Sequence, residues 1–159
     1  MIKILFVCHG NICRSPMAEF ILKDLVTKRG IAAAFQIASA ATSTEEIWNG
    51  VGNPVYPPAK EELARHGISC EGKCAVQVTK EDYTNYDYLI CMDRNNVRNL
   101  ERIVGSDKDG KISMLLDYAG RTGESIADPW YTGNFVTTYQ DIMEGLNGFL
   151  TYLTQENKI

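Results

Sequence analysis

The sequence contains few of the residues from which metal sites and disulfide frameworks are built. Among 159 residues there are two histidines and five cysteines, and the cysteines form no pair of Cys-x2-Cys repeats, the usual spacing of a structural zinc site. An odd number of irregularly spaced cysteines also argues against a disulfide framework. The one alternative is a metal site at Cys70 and Cys74, with His66 as the nearest third ligand. We therefore expect reduced thiols, a cytoplasmic location, and no metal or other cofactor.

Long hydrophobic runs and clustered positive charge are also lacking. The opening apolar run, Ile2–Val7, includes Lys3 and has no charged region before it, so it is too short for a membrane span and unlike a signal peptide. The 16 basic residues are outnumbered by 20 acidic ones, for a net charge of −4. The arginines are scattered rather than gathered into one stripe. These features predict no nucleic-acid binding and no membrane insertion.

What is present is an alternation of strand and helix patterns over a length suited to one domain, residues 1–159. Short apolar runs predict four strands, at residues 2–7, 35–40, 88–92 and 112–115. Helical spacing of apolar residues predicts helices from Pro16 to the glycine stop at Gly30, and over 58–66, 93–103 and 136–153. This order predicts an α/β fold: a four-stranded parallel sheet with helices on both faces and a phosphate-binding loop after the first strand.

The segment after the first strand is the most informative part of the chain. Cys8 stands where a parallel strand ends, at the sheet edge where α/β proteins bind their ligands. Residues 9–14 then lead into a helix, whose first amides have no intrahelical partners and can bind an anion. Ser15 can cap that helix, and Pro16 suits its first position. A thiol at a helix start beside Arg14 is expected to react as a nucleophilic thiolate.

This Cys-x5-Arg-Ser segment offers the groups that hydrolysis of a phosphate monoester through a cysteine requires. The amides of residues 9–14 can surround a phosphoryl group, and Arg14 can bind two of its oxygens. Gly10 permits a backbone conformation that other residues resist. Asn11 tolerates a left-handed conformation and can brace the loop with its side chain, although Gly-Asn is also an ordinary turn pair.

A proton donor for the leaving group is needed as well, and Asp128 is the candidate. Pro129 restricts this aspartate to a rigid turn. Its protonated form could donate to a leaving phenolate, and its carboxylate could then activate water for the second step. Because Asp-Pro is commonly only a turn, the residues alone leave this role open.

Together with their neighbours, these residues resemble the low-molecular-weight protein-tyrosine phosphatase family. The segment Val7–Ser15, followed by Pro16-Met17-Ala18-Glu19, is similar to the signature of that family. Further matches, in the family's order, are Trp48-Asn49, Arg65-His66-Gly67-Ile68, Cys91-Met92-Asp93 and Asp128-Pro129-Trp130-Tyr131. The resemblance covers nearly the whole chain. It implies an enzyme that hydrolyses phosphotyrosine in proteins, and small aryl phosphates, through a cysteinyl phosphate, with inorganic phosphate or similar oxyanions binding in the loop.

The resemblance also implies roles for the matched residues. The catalytic residues would be Cys8, Arg14 and Asp128. The loop would be supported by Asn11, Ser15, Ser39, His66 and Asp93. The substrate would contact His9, Gly10, Ile12, Cys13, Trp48, Asn49, Trp130 and Tyr131. Without the resemblance, Asp93 is equally a helix cap, and His66 before glycine is an ordinary helix C-terminal residue.

Two of these residues bear on specificity and on redox behaviour. Ile12 stands where the related protein-arginine phosphatases hold a small polar residue, so it favours a phosphotyrosine ring. The aromatic side chains that could enclose that ring, or instead pack back on the core, are Trp48, Trp130 and Tyr131. Cys13 is close enough to Cys8 for a reversible disulfide, and many family members carry this second cysteine.

Three other functions make different demands on the sequence. Thioredoxin-coupled arsenate reductases share the fold and loop; Cys91 lies near the first of their additional cysteines, but residues 94–104 contain no second one. A non-catalytic phosphopeptide-binding module would be expected to lose Cys8 or Asp128. A phosphotransferase-system component carrying a phosphocysteine would not need Asp128. The presence of both residues favours the phosphatase.

Overall fold

The computed structural model describes all residues, 1–159, and contains two short 3-10 helices besides its strands and α-helices. The elements, in chain order, are β1 (Ile2–Cys8), α1 (Arg14–Lys28), β2 (Phe35–Ala41), β3 (Ile47–Trp48), β4 (Val51–Gly52), α2 (Pro57–Arg65), α3 (Asp82–Asn85), β5 (Tyr88–Cys91), α4 (Arg94–Val104), β6 (Ile112–Met114), α5 (Pro129–Thr132) and α6 (Phe135–Gln155). Four strands form a parallel sheet in the order β2-β1-β5-β6. The predicted four-stranded parallel sheet is thereby confirmed.

The alternation of side chains along β1 explains why helices cover both faces of the sheet. Successive residues of a strand point to opposite faces. Ile4, Phe6 and Cys8 belong to the larger core cluster, which α1, α2 and α6 complete. Leu5 and Val7 belong to a smaller cluster that α4 covers. Because β1 is apolar on both faces, it becomes a central strand, and its carboxyl end lies in the middle of the sheet edge.

The start of α1 corrects one prediction. The helix begins at Arg14 instead of Pro16, its N-cap is Cys13, and no side chain caps it. Ser15 is therefore not the cap, because it lies inside the first turn, where its hydroxyl is turned toward Cys8. Pro16 remains compatible with the helix because residues of the first turn need no intrahelical amide bond.

The long segment between β2 and α2 contains a small hairpin. Its strands, β3 and β4, are antiparallel and are joined by Asn49 and Gly50, which have φ of 49° and 77°, as in a two-residue turn with both φ positive. Gly52 is required for space, since a Cβ there would lie 1.8 Å from the carbonyl oxygen of Ala75. This close approach anchors the hairpin beside the end of β1.

None of the helices combines the length and the apolar character that crossing a membrane requires.

Candidate active site

The carboxyl end of β1 opens into a cavity formed by the cysteine loop, which we define as residues 8–14, and by two further segments. The residues that line it are Cys8, His9, Gly10, Asn11, Ile12, Cys13, Arg14, Glu45, Glu46, Asp128, Trp130 and Tyr131. The loop thus contributes all seven of its residues. Residues near 45 form one wall, and the segment from Asp128 forms another.

Asn11 organises the cysteine loop from within. It is buried and has a left-handed φ of 59°, a conformation that asparagine tolerates better than most residues. Its Nδ2 donates to Ser15 Oγ at 2.8 Å and to Ser39 Oγ at 2.9 Å, and its Oδ1 accepts from the amide of Val76 at 3.1 Å. All the hydrogen-bonding capacity of the side-chain nitrogen is used, so the loop is braced from α1 and from β2.

The thiol of Cys8 lies at the base of the loop, where two groups contact its sulfur. The hydroxyl of Ser15 is 2.9 Å from Sγ, and the amide of Asn11 donates to Sγ at 3.3 Å. Both contacts can stabilise a thiolate, because a negatively charged sulfur is a better hydrogen-bond acceptor than a thiol.

Arg14 is buried at the bottom of the cavity and is held in one orientation. Its Nη1 donates to Asp93 Oδ2 and to the carbonyl oxygen of Ile126, both at 2.8 Å. Asp93 is positioned in turn because it is the N-cap of α4: its Oδ1 accepts from the backbone amide of Asn96. Asp93 therefore contacts the cysteine loop through Arg14 and also caps α4, so it combines the loop support and the helix cap that the sequence offered as alternatives.

The charge of Arg14 is secured by its neighbours. Burial acts to lower the pKa of the guanidinium, but nearby Cys8, Asp93 and Asp128 together raise that pKa above its ordinary value. A permanent positive charge therefore lies beside the thiol and faces the position where an oxyanion would bind.

Asp128 reaches the same cavity from the opposite side. It is the N-cap of the short helix α5, where its Oδ1 accepts from the amide of Trp130 at 3.1 Å. Its Oδ2 is 3.5 Å from Nη2 of Arg14, and the side chain is partly exposed to solvent. A carboxyl group that is tethered by one oxygen and open to the cavity by the other can exchange a proton with a bound ligand or with water.

The aromatic walls differ from the predicted arrangement. Trp130 and Tyr131 line the cavity, and the Trp130 ring packs at 4.7 Å from the ring of Tyr56. Trp48 is 80% exposed, and neither it nor Asn49 lines the cavity. The hairpin turn directs this tryptophan into solvent, so the expected enclosure by three aromatic residues is absent from the structure.

Two cavity residues, Glu45 and Glu46, were missed by the sequence analysis. Glu45 lies 3.0 Å from Nε2 of His9, and Glu46 accepts from Asn53 at 2.8 Å. The carbon chain of Glu46 would be 3.3 Å from a Cβ at position 10, so Gly10 provides room for this wall; its φ is not positive. The only available signal was an acidic pair in a long loop, which is usually a solvated feature.

Cys13 is buried in the same loop as Cys8 and is not ionised near neutral pH. Burial, followed by the negative charges at Cys8 and Asp128, raises the pKa of the Cys13 thiol to about 12. All five cysteines are free thiols in the structure. Cys13 is therefore a protonated thiol at neutral pH.

His66, predicted as a support of the cysteine loop, makes no hydrogen bond to it. Its Nε2 is 3.0 Å from Glu62, and its ring stacks on Tyr139 with centroids 3.7 Å apart. It follows α2 as the C-terminal residue that the spacing also suggested.

Instead of His66, Glu19 and Lys73 extend the support behind Ser39. Ser39 Oγ donates to Glu19 at 2.6 Å, and Lys73 donates to the carbonyl oxygen of Ser39 at 2.8 Å. Glu19 could have been noticed as a charged residue on an apolar helix face, whereas no pattern indicated Lys73.

A strand that ends in a cysteine, a loop of amides closed by a buried arginine, and an aspartate facing it are the features of a cysteine-dependent phosphatase. The family model described as "Low molecular weight phosphotyrosine protein phosphatase" matches residues 3–159. The chain belongs to this family.

Individual relatives are similar over most of their lengths. The chain is 39% identical to the low molecular weight protein-tyrosine-phosphatase YfkJ of Bacillus subtilis, covering 100% of both chains. It is 40% identical to the human low molecular weight phosphotyrosine protein phosphatase, covering 93% of each. The crystal structure of YfkJ superposes with a TM-score of 0.90 over 98% of this chain and 96% of that one. The Drosophila arginine phosphatase DARP superposes with a TM-score of 0.84 at 33% identity, covering 95% and 97%.

Proposed function

We propose that the enzyme hydrolyses phosphotyrosine in proteins, and small aryl phosphates, in two steps through a phosphate ester on the sulfur of Cys8. The observation that supports this most is the position of Cys8: its sulfur is contacted by the Ser15 hydroxyl and the Asn11 amide. Arg14 and Asp128 face the same cavity. A nucleophile, an anion-binding group and an acid are thus within one site.

Substrate binding would use the free donors of the cysteine loop. The Nη1 group of Arg14 is occupied by Asp93 and Ile126. Nη2 has only the 3.5 Å contact with Asp128, so Nε and Nη2 would bind two phosphoryl oxygens, as a bidentate contact requires. The loop amides would donate to the phosphoryl oxygens as well. The phosphorus of a bound phosphate monoester would then lie next to the Cys8 sulfur, with the bond to the ester oxygen pointing away from that sulfur.

In the first step the Cys8 sulfur would attack phosphorus while the bond from phosphorus to the ester oxygen breaks. Asp128 would give its proton to the departing phenolate, so the tyrosine hydroxyl leaves neutral. Arg14 and the loop amides would stabilise the charge on the equatorial oxygens in the transition state.

In the second step water would attack the cysteinyl phosphate, and the Asp128 carboxylate would accept a proton from that water. The sulfur–phosphorus bond breaks, inorganic phosphate is released, and the sulfur leaves as a thiolate. The Ser15 hydroxyl, 2.9 Å from Sγ, would donate to this thiolate and assist its departure.

The aromatic substrate is favoured by the walls of the cavity. Ile12, Trp130 and Tyr131 line it and offer apolar surface to a ring whose phosphate reaches the sulfur. The similarity to DARP makes phosphoarginine a second candidate, and Ile12, which has no polar atom to pair with a guanidinium, argues against it. We expect the enzyme to act in the cytoplasm, because a reducing compartment keeps its five free thiols reduced.

The test is a comparison of Cys8→Ser with Cys74→Ser, an exposed cysteine outside the cavity. The wild-type protein and Cys74→Ser, acid-quenched during turnover of phosphotyrosine peptide, should carry one phosphoryl group on Cys8 by mass spectrometry. Cys8→Ser should lose turnover yet still bind inorganic phosphate. Turnover by Cys8→Ser, or labelling of another residue, would contradict the mechanism. Faster hydrolysis of a matched phosphoarginine peptide would contradict the substrate.

A further inference from the structure

The residue that precedes α2 is a tyrosine at a position where a helix-capping side chain is usual. Tyr56 is the N-cap of α2, but its side chain makes no capping hydrogen bond, whereas serine, threonine, aspartate or asparagine there would stabilise the helix start. Pro57, which follows, restricts Tyr56 to an extended backbone, with φ of −58° and ψ of 132°. The helix thus lacks a cap, and an aromatic ring is held in a fixed direction instead.

Tyr56 is attached to the cysteine loop through both its backbone and its side chain. Its amide donates to the carbonyl oxygen of Ile12 at 2.9 Å. Its side chain packs against the small buried cluster that Ile12 and Cys13 form with Ala75. The position of Tyr56 is therefore tied to the position of the loop that carries Cys8.

The same ring also supports the acid segment, which we define as residues 128–134. The centroid of the Tyr56 ring is 4.7 Å from that of Trp130 and 6.1 Å from that of Phe135. Aromatic pairs at such distances stabilise a structure beyond the area that they bury. One contact lies within the acid segment and the other immediately after it, so the ring holds the segment at two points.

The acid segment is otherwise largely exposed. Pro129 is the only one of its residues that is buried, and Tyr131 is 85% exposed. Its helix, α5, has four residues and ends at Gly133, which has a left-handed φ of 71°. A helix of one turn is not stable on its own. The position of Asp128 at its start therefore depends on how the segment packs against the rest of the protein.

Trp130 connects the support of the segment to the acid itself. Its amide donates to Asp128 Oδ1 at 3.1 Å, while its ring packs on Tyr56. We propose that Tyr56 is a positioning residue whose ring, acting through Trp130, holds the Asp128 carboxyl at a constant distance from the cysteine loop. The proposal rests on the proposed function, in which Asp128 is the general acid. Tyr56 is not among the residues that line the cavity, so it acts on the chemistry only through Trp130 and Asp128.

The dependence of the first step on the leaving group reports whether Asp128 is in place. Phenyl phosphate and nitrophenyl phosphate differ in the pKa of the departing phenol, so phenyl phosphate depends more on the proton from Asp128. The experiment measures the rate of phenol release from each compound in single-turnover reactions with a saturating excess of enzyme. The quantity compared between variants is the ratio of the two rates. A loss of folded protein or of Cys8 reactivity lowers both rates equally, so a merely structural role would leave this ratio unchanged.

Four variants isolate the ring of Tyr56. Tyr56→Ala should slow the reaction of phenyl phosphate about tenfold more than that of nitrophenyl phosphate, because a displacement of about 1 Å can cost at least as much. Tyr56→Leu keeps apolar bulk against Ile12 but lacks the ring, so it should change the ratio in the same direction. Tyr56→Phe keeps the ring and should match the wild type. The control is Tyr152→Ala, since Tyr152 is also partly buried and its ring packs near Tyr88, at the opposite end of the sheet; it should leave the ratio unchanged.

A double-mutant cycle tests whether Tyr56 acts through Asp128. When Asp128→Ala is already present, adding Tyr56→Ala should change the ratio no further. A wild-type ratio in a folded Tyr56→Ala or Tyr56→Leu protein, or a further change in the double variant, would overturn the proposal while the proposed function stands. A wild-type ratio in Asp128→Ala alone would instead contradict the acid of the proposed function, and the role of Tyr56 with it.

Discussion

Asp93 connects Arg14 to the start of α4 by using a different carboxylate oxygen for each. Oδ2 accepts from Arg14 Nη1 at 2.8 Å, and Oδ1 accepts from the amide of Asn96, also at 2.8 Å. The Arg14 guanidinium is thus fixed to the N-terminal end of α4. This explains how one arginine can keep a constant orientation at the bottom of an open cavity.

Replacement of Asp93 by asparagine should therefore impair catalysis more than folding. Asparagine is a good N-cap, but its single carbonyl oxygen cannot serve both the cap and Arg14. We expect kcat/KM for an aryl phosphate to fall about tenfold or more, with the melting temperature nearly unchanged. The matched control is Asp82→Asn, since Asp82 also accepts a backbone amide, at the start of α3. Equal activity of the two variants would argue against the link to Arg14.

If Asp128 is the general acid that we propose, the effect of removing it should depend on the leaving group. A phenolate of high pKa needs a proton in the transition state, whereas nitrophenolate needs it less. Asp128→Ala should slow phosphorylation of Cys8 by about 10²-fold to 10⁴-fold for phosphotyrosine and much less for nitrophenyl phosphate. Single-turnover kinetics must separate this step from hydrolysis of the cysteinyl phosphate. The same loss for every leaving group would assign the acid to another residue.

The two tryptophans should differ in their effects on substrate binding. Trp130 lines the cavity and packs on Tyr56, whereas Trp48 is 80% exposed and lies outside it. Trp130→Ala should raise KM for phosphotyrosine peptides about threefold to tenfold, consistent with the loss of one aromatic contact. Trp48→Ala should leave KM for small aryl phosphates unchanged. A larger effect at Trp48 than at Trp130 would mean that the hairpin folds over the bound substrate.

Peroxide should inactivate the enzyme reversibly. Cys8 would be oxidised first, to a sulfenic acid, and the neighbouring Cys13 thiol would condense with it to form a disulfide that protects the nucleophile. Dithiothreitol should restore activity in the wild-type protein but much less in Cys13→Ala. Mass spectrometry checks this directly: sulfinic Cys8 together with free Cys13 would rule out the disulfide.

The stability of the protein should fall at alkaline pH, in part because of Cys13. The pKa of this thiol is raised from 9.0 to about 12 by burial, so between these values the unfolded state releases a proton that the folded state retains. The free energy of unfolding then falls as pH rises, by up to about 1.4 kcal/mol per pH unit from this group. Urea unfolding at several pH values should show a shallower decline in Cys13→Ala. An identical decline would exclude the contribution of Cys13.

The anion-binding part of the site was predictable because its geometry is local. Cys8, Asn11, Arg14 and Ser15 lie within eight successive residues, and the end of a strand followed by a helix determines where they point. The parallel sheet was predictable for a similar reason, since strands apolar on both faces need helices on both sides.

The walls and supports of the site were less predictable because they join segments distant in the chain. Glu45 and Glu46 line the cavity. They precede a hairpin whose position depends on the close approach of Gly52 to the backbone of Ala75. Lys73 donates to the carbonyl oxygen of Ser39, which is 34 residues away in the sequence. No sequence pattern marks the two glutamates or Lys73 as part of the site. His66 and Trp48 lie in segments that resemble the family's motifs. In the structure, however, His66 contacts Glu62 and Tyr139, and Trp48 is exposed to solvent.

By itself, the sequence determined the family, the parallel sheet and the positions of Cys8 and Arg14. Hydrophobic periodicity specifies the sheet, and the residues of the cysteine loop are consecutive in the sequence, so none of these depends on contacts between distant segments. The tertiary structure decided which residues surround that loop. Asp93 and Asp128 cap two helices and Glu19 lies on a third. Only the packing of those helices on the sheet brings these carboxylates to Arg14, to the cavity and to Ser39.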